Sequence, residues 1–323
     1  MKIAITGGTG SLGRALVASY MDDPAVTRLV ILSRDEVKQG DLAQRYPGDT
    51  KLRLFLGDVR DEARLRQAFR GCDTVIHTAA LKRITQSVYS PSELIKTNIL
   101  GTMNTIAAAA SVGVRHVLLI SSDKAVAATN LYGMTKAVAE GYAIQSNTYT
   151  VPQGTAVSVL RYGNVMGSRG SVWEIWAEQK RTGVPLTLTN ARMTRFLISL
   201  PQAVVLVREC LEIMEGGDLF VPILPAVFVS EIAGLLEHPV VTTGIRPGGE
   251  KIHETLLSDE ERTRLHLLSH LSSERLFAVI PSHHSWRAEW PRNATTLPAY
   301  TSAKVTLQGE SLREWFKDAG LLP

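Results

Sequence analysis

A short apolar stretch, Lys2 to Thr6, runs without a break into Gly7-Gly8-Thr9-Gly10-Ser11-Leu12-Gly13, and a helical run follows from Arg14 to Met21. This order of strand, glycine turn and helix constrains the fold more than any other feature of the chain. The pattern is T-G-x-x-G-x-x-G, with Gly7, Gly10 and Gly13 in the repeating places. Glycine lets the backbone turn tightly and come close to a pyrophosphate, and the helix start supplies amide donors and a positive dipole end. A glycine pattern alone is weak evidence; lying between a strand and a helix, it predicts a dinucleotide site.

Strand-like and helix-like segments then alternate. Arg28 to Leu32, Leu52 to Leu56, Thr74 to His77, Val114 to Ile120 and Ala156 to Leu160 read as strands, with helical runs such as Glu62 to Phe69 and Ser92 to Ala110 between them. Alternation of this kind predicts an α/β fold with a Rossmann-type doubly wound parallel sheet. The composition shifts after about residue 167, so the expected division is a dinucleotide domain over 1–166 and a smaller α/β substrate domain over 167–323. Residues 196–216 are expected to return and pack on the first.

The tips of the early strands refine the cofactor. Ser33 and Arg34 follow the second strand, and an arginine there suits a ribose 2′-phosphate, with Lys38 adding charge. Asp35 and Glu36 keep NAD open, and the expectation is NADP. Asp58, followed by Val59, is placed for the adenine or as the N-cap of the next helix. Ala79 and Ala80 are small enough for close backbone approach, and Lys82 is a candidate for cofactor or substrate phosphates. Asn98 reads as a polar bridge within a covering helix.

Composition excludes several classes. The 323 residues are 45% hydrophobic and 20% charged, with a formal net charge of +4. No basic block marks nucleic-acid binding, and the most apolar late stretch, Leu219 to Val241, is broken by prolines and glutamates, which argues against a membrane span. Cys72 and Cys210 stand far apart without metal spacing, so a reducing cytoplasm is the expected compartment. The late histidines, among them His266, His270, His283 and His284, lack ligand-spaced partners, and no metal is expected.

Chemistry concentrates in Ser121 to Lys136, SSDKAVAATNLYGMTK. Tyr132 and Lys136 are four apart and share a helix face, where an ammonium favours a phenolate. Asp123 and Lys124 fall where a strand ends, the usual place for ligands in an open α/β sheet. An acid, two amines and a phenol together suit proton transfer. Further on, Arg161-Tyr162-Gly163-Asn164 begins a polar, glycine-rich loop, and Arg195 and Arg246 are candidates for a diphosphate. Gly244 to Glu254 is expected to turn into a helix. Beyond Leu257 the signal fades, apart from a closing helix near Leu312 to Leu322.

Taken in order, the glycine loop, the Tyr-x-x-x-Lys pair and the R-Y-G-N-V loop resemble the extended short-chain dehydrogenase/reductases. SSDKAVAATNLYGMTK, RYGNVMGSRGSV, RMTRF and GIRPGGEKIHE more closely resemble the inverting UDP-N-acetylglucosamine 4,6-dehydratases of polysaccharide pathways, over roughly Met1 to Thr263 with a weaker YTS at Tyr300 to Ser302. The resemblance implies that Tyr132, lowered in pKa by Lys136, takes the proton of the sugar 4-OH, with Ser122 holding that hydroxyl. It implies that Lys124 as a neutral amine removes the C5 proton and that Asp123 protonates the leaving 6-OH. It also implies that Thr9, Ser11, Leu12, Tyr132, Lys136, Tyr162 and Asn164 join the glycines around NADP. A UDP-sugar would meet Lys82, Asn164, Arg195, Arg246 and Glu250, and relatives of this kind tend to be homo-oligomers. A UDP-sugar 4-epimerase or ketoreductase is the alternative, needing Tyr132 and Lys136 but neither Asp123 nor Lys124. The chain departs from the family pattern in carrying Ala127-Ala128 where Asn-Pro is usual, and in an added glycine within GIRPGGEK.

Overall fold

A computed structural model describes residues 1–82, 89–245, 248–268, 276–279, 281, 285–287, 294–295 and 300–322. The early elements are β1 (Lys2–Thr6), α1 (Ser11–Met21), β2 (Arg28–Ser33), α2 (Glu36–Arg45), β3 (Leu52–Leu56), α3 (Glu62–Phe69) and β4 (Thr74–His77). They are followed by α4 (Pro91–Ile95), a π-helical turn (Lys96–Leu100), α5 (Gly101–Ser111), β5 (His116–Ser122), α6 (Leu131–Gln145) and β6 (Ala156–Tyr162). Ile3, Ile5, Leu29, Ile31, Val75, Val117 and Val159 are wholly buried. Strands covered on both faces need apolar side chains on both, and β4 and β6 accordingly show nearly unbroken burial.

The main sheet has ten strands in the order β15-β13-β14-β10-β6-β5-β4-β1-β2-β3. From β3 to β10 (Leu219–Pro222) the pairings are parallel. The order reverses at β1, with β2 on one side and β4 on the other, and a crevice opens there above the strand ends. Beyond β10, β14 (Leu276–Val279) and β13 (Leu265–Leu268) continue the sheet antiparallel, and β15 (Ala294–Thr295) ends it. No pattern in the residues after Leu257 announces these edge strands.

A second apolar cluster forms around Trp173 and Trp176 of α7 (Val172–Arg181) and Phe316 of α9 (Gly309–Asp318). Two small sheets frame it: β7 (Asn164–Val165), β9 (Thr194–Ile198) and β11 (Ala226–Phe228) in one, β8 (Leu186–Leu188) and β12 (Val240–Thr242) in the other. Between β9 and β11 in sequence, α8 (Leu200–Ile213) packs against α1.

Several expected boundaries change. The helix expected over Ser92 to Ala110 contains the π turn, a bulge that lets Asn98 reach sideways. The α3 N-cap is Asp61, whose carboxylate accepts from the Arg64 amide; Asp58 does not serve as the cap. Residues Gly248 to Ser258 do not turn directly into a helix, because the Glu254 backbone is bonded on both sides to Ser302; helix resumes only at Asp259. The strand expected from Val114 starts at His116 and reaches Ser122, which brings Ser122 level with Tyr162 across the β5–β6 pairing.

Candidate active site

The glycine loop is built as its composition requires. Gly7 sits at φ +70°, and a Cβ there would lie 2.8 Å from the Ala79 Cα. At Gly13 a Cβ would lie 2.5 Å from the Gly7 carbonyl oxygen, so α1 packs directly on the turn only with glycine. Gly10 caps α1 without a side-chain acceptor. Since the first-turn amides of any helix lack intrahelical partners, this end of α1 is a ready anion site.

A cavity of about 650 Å³ opens beside it at the switch point. Gly7, Thr9, Gly10, Ser33, Arg34, Lys38, Val59, Ala79 and Ala80, all expected around the cofactor, line it together. Asp35 caps α2 through the Lys38 amide and pairs with the Lys38 ammonium. Arg34 reaches Asp58 at 3.4 Å, and Arg60 also holds that carboxylate. The hydrogen bonds and charges of Arg60 and Arg34 outweigh burial and lower the Asp58 pKa. Leu12 packs against the main core, and the Ser11 hydroxyl accepts from the Arg169 amide at 2.9 Å, tying the glycine turn to the loop after β7. Lys82 is exposed and does not line this cavity.

The catalytic candidates stand at the ends of β5 and β6. Ser122 closes β5 and caps a single 3₁₀ turn, Asp123–Ala125. Asp123 is fully buried; its Oδ1 accepts from Ser122 Oγ at 2.8 Å and from Lys124 Nζ at 2.9 Å. Asp123 Oδ2 has no hydrogen-bond partner among the described residues. Asn130 caps α6 by accepting the Gly133 amide, and a Cβ on Gly133 would come within 2.3 Å of the Lys124 carbonyl oxygen. That glycine therefore allows the first turn of α6 to lie on the 3₁₀ turn, bringing Tyr132 beside Ser122, whose hydroxyl favours the phenolate. Tyr162, level with Ser122 on β6, faces the same phenol.

Lys136 is buried and donates to the Ile120 carbonyl at 2.6 Å; desolvation lowers its pKa to about 8, with Glu140 opposing. Tyr132 differs from expectation. Burial raises the phenol to about 12, and the cation that counters this is Lys124, whereas Lys136 turns its amine to the Ile120 carbonyl. Lys124 differs too. Desolvation lowers its pKa, but Asp123 and Glu254 outweigh it and the net shift is upward, so in this state the group is an ammonium and not the expected neutral amine.

Of the predicted substrate residues, Arg195 stands with the catalytic groups. Arg195 lies beside Glu254 at 3.9 Å and is fixed by the Thr194 and Ile252 carbonyls. Asn164 begins β7, its Oδ1 buried and without a hydrogen-bond partner among the described residues. Glu250 is half-buried at the entry to the Lys251–Glu254 segment. Arg246 lies outside the described residues, as do His270, His283 and His284.

Sequence reasoning missed two groups. Glu254, which is nearly buried, approaches Lys124 Nζ at 3.1 Å, and Lys251 approaches Glu254 at 3.5 Å while donating to the Val126 carbonyl. Both lie within the GIRPGGEKIHE motif, the one available signal. Asn98 does bridge layers: it exchanges hydrogen bonds with the Leu81 backbone and donates to Thr135, the neighbour of Lys136. Among the described residues no helix is long and apolar enough to cross a membrane.

Known proteins share this architecture. The chain is 39% identical over 288 residues to a UDP-N-acetylglucosamine 4,6-dehydratase (inverting) of Campylobacter jejuni, covering 87% of this chain and 83% of that protein. It is 38% identical over 271 residues to a UDP-glucose 4-epimerase of Rickettsia massiliae, covering 81% and 79%. Among solved structures, Pen from Bacillus thuringiensis superimposes with a TM-score of 0.90 at 29% identity, over 100% of this chain and 98% of that one. DesIV, a dTDP-glucose 4,6-dehydratase from Streptomyces venezuelae, shares the fold at a TM-score of 0.69 and 20% identity, over 77% of this chain and 86% of that one. Residues 3–273 match the family described as polysaccharide biosynthesis protein, and the chain belongs to that family.

Proposed function

We propose that the protein is a nucleotide-sugar 4,6-dehydratase, a hydro-lyase, acting on UDP-N-acetylglucosamine with inversion at C5. The observation that carries this reading is the Asp123–Lys124 contact of 2.9 Å beside Ser122 and Tyr132. An epimerase needs Tyr132 and Lys136 but neither Asp123 nor Lys124, whereas elimination of water needs a base at C5 and an acid at the 6-OH. The inverting dehydratase of Campylobacter jejuni supports the substrate assignment.

The glycine cradle and its cavity fit a nicotinamide dinucleotide, and Arg34 at the mouth with Asp35 engaged as a cap favours NADP over NAD. Such a cofactor supplies hydride acceptance from sugar C4 and return to C6. Residues 1–166 then hold the dinucleotide and 167–323 mainly the sugar nucleotide, with Arg195 and Asn164 turned to its diphosphate. The buried, unpaired Cys72 and Cys210 suit a reducing compartment, and we place the enzyme in the cytoplasm.

Tyr132 takes the 4-OH proton while Ser122 holds that hydroxyl. The resulting 4-ketone acidifies C5–H. Lys124 as an amine removes that proton, Asp123 as a carboxylic acid protonates the leaving 6-OH, and protonation of C5 from the opposite face inverts the centre. The ion pair in the structure holds the right number of protons for both roles. One proton moved from Lys124 to Asp123 along their contact gives amine and acid at once. Exclusion of water by a bound hexose favours that neutral pair, because two desolvated charges are costly.

The test is mass spectrometry of UDP-N-acetylglucosamine incubated with the protein in heavy water. Loss of one water with deuterium at C5 is the expected result. A mass-neutral product with no C5 label would instead support the epimerase reading, which the 38% identity to the Rickettsia enzyme keeps in view.

A further inference from the structure

We propose that Glu254 is a positioning residue for Lys124: its backbone is pinned by the Thr301–Ser302 segment, and its carboxylate holds the Lys124 amine in place and sets how readily that amine exchanges its proton. The proposal rests on the reading of Lys124 as the C5 base.

The geometry is specific. Lys124 Nζ lies 2.9 Å from Asp123 Oδ1 and 3.1 Å from Glu254 Oε1, so two carboxylates fix its position. The Glu254 side chain is only 3% exposed, a costly place for a carboxylate unless something recruits it there. Its backbone is clamped: its amide donates to Ser302 Oγ at 2.9 Å, and its carbonyl accepts from the Ser302 amide at 2.8 Å and from Thr301 Oγ1 at 3.1 Å. Ser302 in turn shares a 2.7 Å hydrogen bond with Thr194, the residue before Arg195. The YTS segment thus aims Glu254 at the base.

The charges facing these groups are mixed. Lys124 meets Asp123 and Glu254 as anions and Arg195 as a cation, while Glu254 meets Lys124, Arg195 and Lys251. Glu254 burial raises its own pKa, but the three cations outweigh this and hold it lowered, so it stays a carboxylate. In the step at issue the C5–H bond breaks, its electron pair remains with the sugar enolate, and its proton forms an N–H bond on Lys124. The amine becomes an ammonium, while Glu254 keeps its charge and loses no proton. A fixed anion at hydrogen-bond distance stabilises that ammonium and keeps the nitrogen from swinging out of reach of C5.

The experiment follows C5 deuterium exchange against pH in the parent, Glu254→Gln, Glu254→Ala and Ser302→Ala, with melting temperature and KM for UDP-N-acetylglucosamine measured alongside. In Glu254→Gln, which keeps shape but not charge, the limb over which exchange rises with pH, set by loss of the Lys124 proton, should move to lower pH by about one unit or more, because the anion that favoured the ammonium is gone. Glu254→Ala should lose at least about tenfold in exchange with KM within about twofold, since misplacing a catalytic group is expensive. Ser302→Ala should slow exchange without moving the limb, and it serves if the Glu254 variants fold poorly. An unmoved limb in Glu254→Gln, parent exchange in Glu254→Ala, or parent exchange in Ser302→Ala would each overturn the proposal. A parent that exchanges no deuterium at C5 removes the dehydratase reading beneath it; a parent that exchanges while the variants match it removes the Glu254 role alone.

Discussion

Lys124 must be an ammonium when it pairs with Asp123 and an amine when it meets C5. Removing it separates the competing chemistries. Lys124→Ala should reduce dehydration by about 10²- to 10⁴-fold, the usual worth of a general base, while leaving dinucleotide binding intact. The check is product formation by mass spectrometry beside a cofactor-binding titration; parent-rate turnover would remove the dehydratase mechanism. Lys136 makes a different prediction, about folding. Burial lowers its pKa from 10.5 to about 8, so the unfolded chain binds more protons between those values. The cost of burying its charge is fully present below pH 8 and fades as pH rises towards 10.5, and this group's contribution to stability therefore rises over that window. Lys136→Met deletes the cost. Its melting temperature relative to the parent should be most favourable near pH 7 and decline above pH 8, read by thermal melts across that range.

Helix α6 contains two glycines whose replacement should act in opposite directions. A Cβ at Gly133 would meet the Lys124 carbonyl oxygen at 2.3 Å, whereas at Gly141 it meets nothing within 4 Å. Gly133→Ala forces backbone apart and should cost about 1–3 kcal/mol, lowering the melting temperature and displacing Tyr132 from Ser122. Gly141→Ala relieves the helix of a flexible residue and should stabilise by about 0.5–1 kcal/mol with activity unchanged. Calorimetry on the two variants checks both signs. The same helix shows what a sequence can disclose. Tyr132, Lys136 and the Asp123–Lys124 pair were readable because each pairing is local, set by helix spacing or adjacency. Glu254 was not, since its approach to Lys124 depends on Ser302 and on a loop that fails to become helix. The direction of the Tyr132 shift was missed for a related reason: spacing puts Lys136 on the right face but does not reveal that its amine is occupied by the Ile120 carbonyl. The edge strands β13 to β15 were also missed, because segments of four, four and two residues with no alternation of strands and helices around them are too short for their pattern to separate strand from helix.

At the scale of the molecule, the sheet brings two separately built regions to one crevice. The glycine turn and β2 tip form the cavity of about 650 Å³ on one side of β4, while the β5 and β6 tips carry the proton-transfer groups on the other. The Ser11–Arg169 hydrogen bond crosses from the first region to the loop after β7, so a bound dinucleotide should brace both. A ligand that binds only the folded state stabilises it by about 2.7 kcal/mol when present at a hundred times its Kd. The phosphate-specific part of that effect should reside in Arg34, whose side chain is 48% exposed and meets Asp58 at only 3.4 Å, leaving it able to turn to a ribose 2′-phosphate. Thermal shifts with NADP should therefore exceed those with NAD in the parent. Arg34→Ala should abolish the difference while keeping a shift with NAD, because the pyrophosphate contacts of the glycine turn are untouched. Equal shifts for the two cofactors in the parent would assign NAD instead, and leave Arg34 as the partner of Asp58 alone.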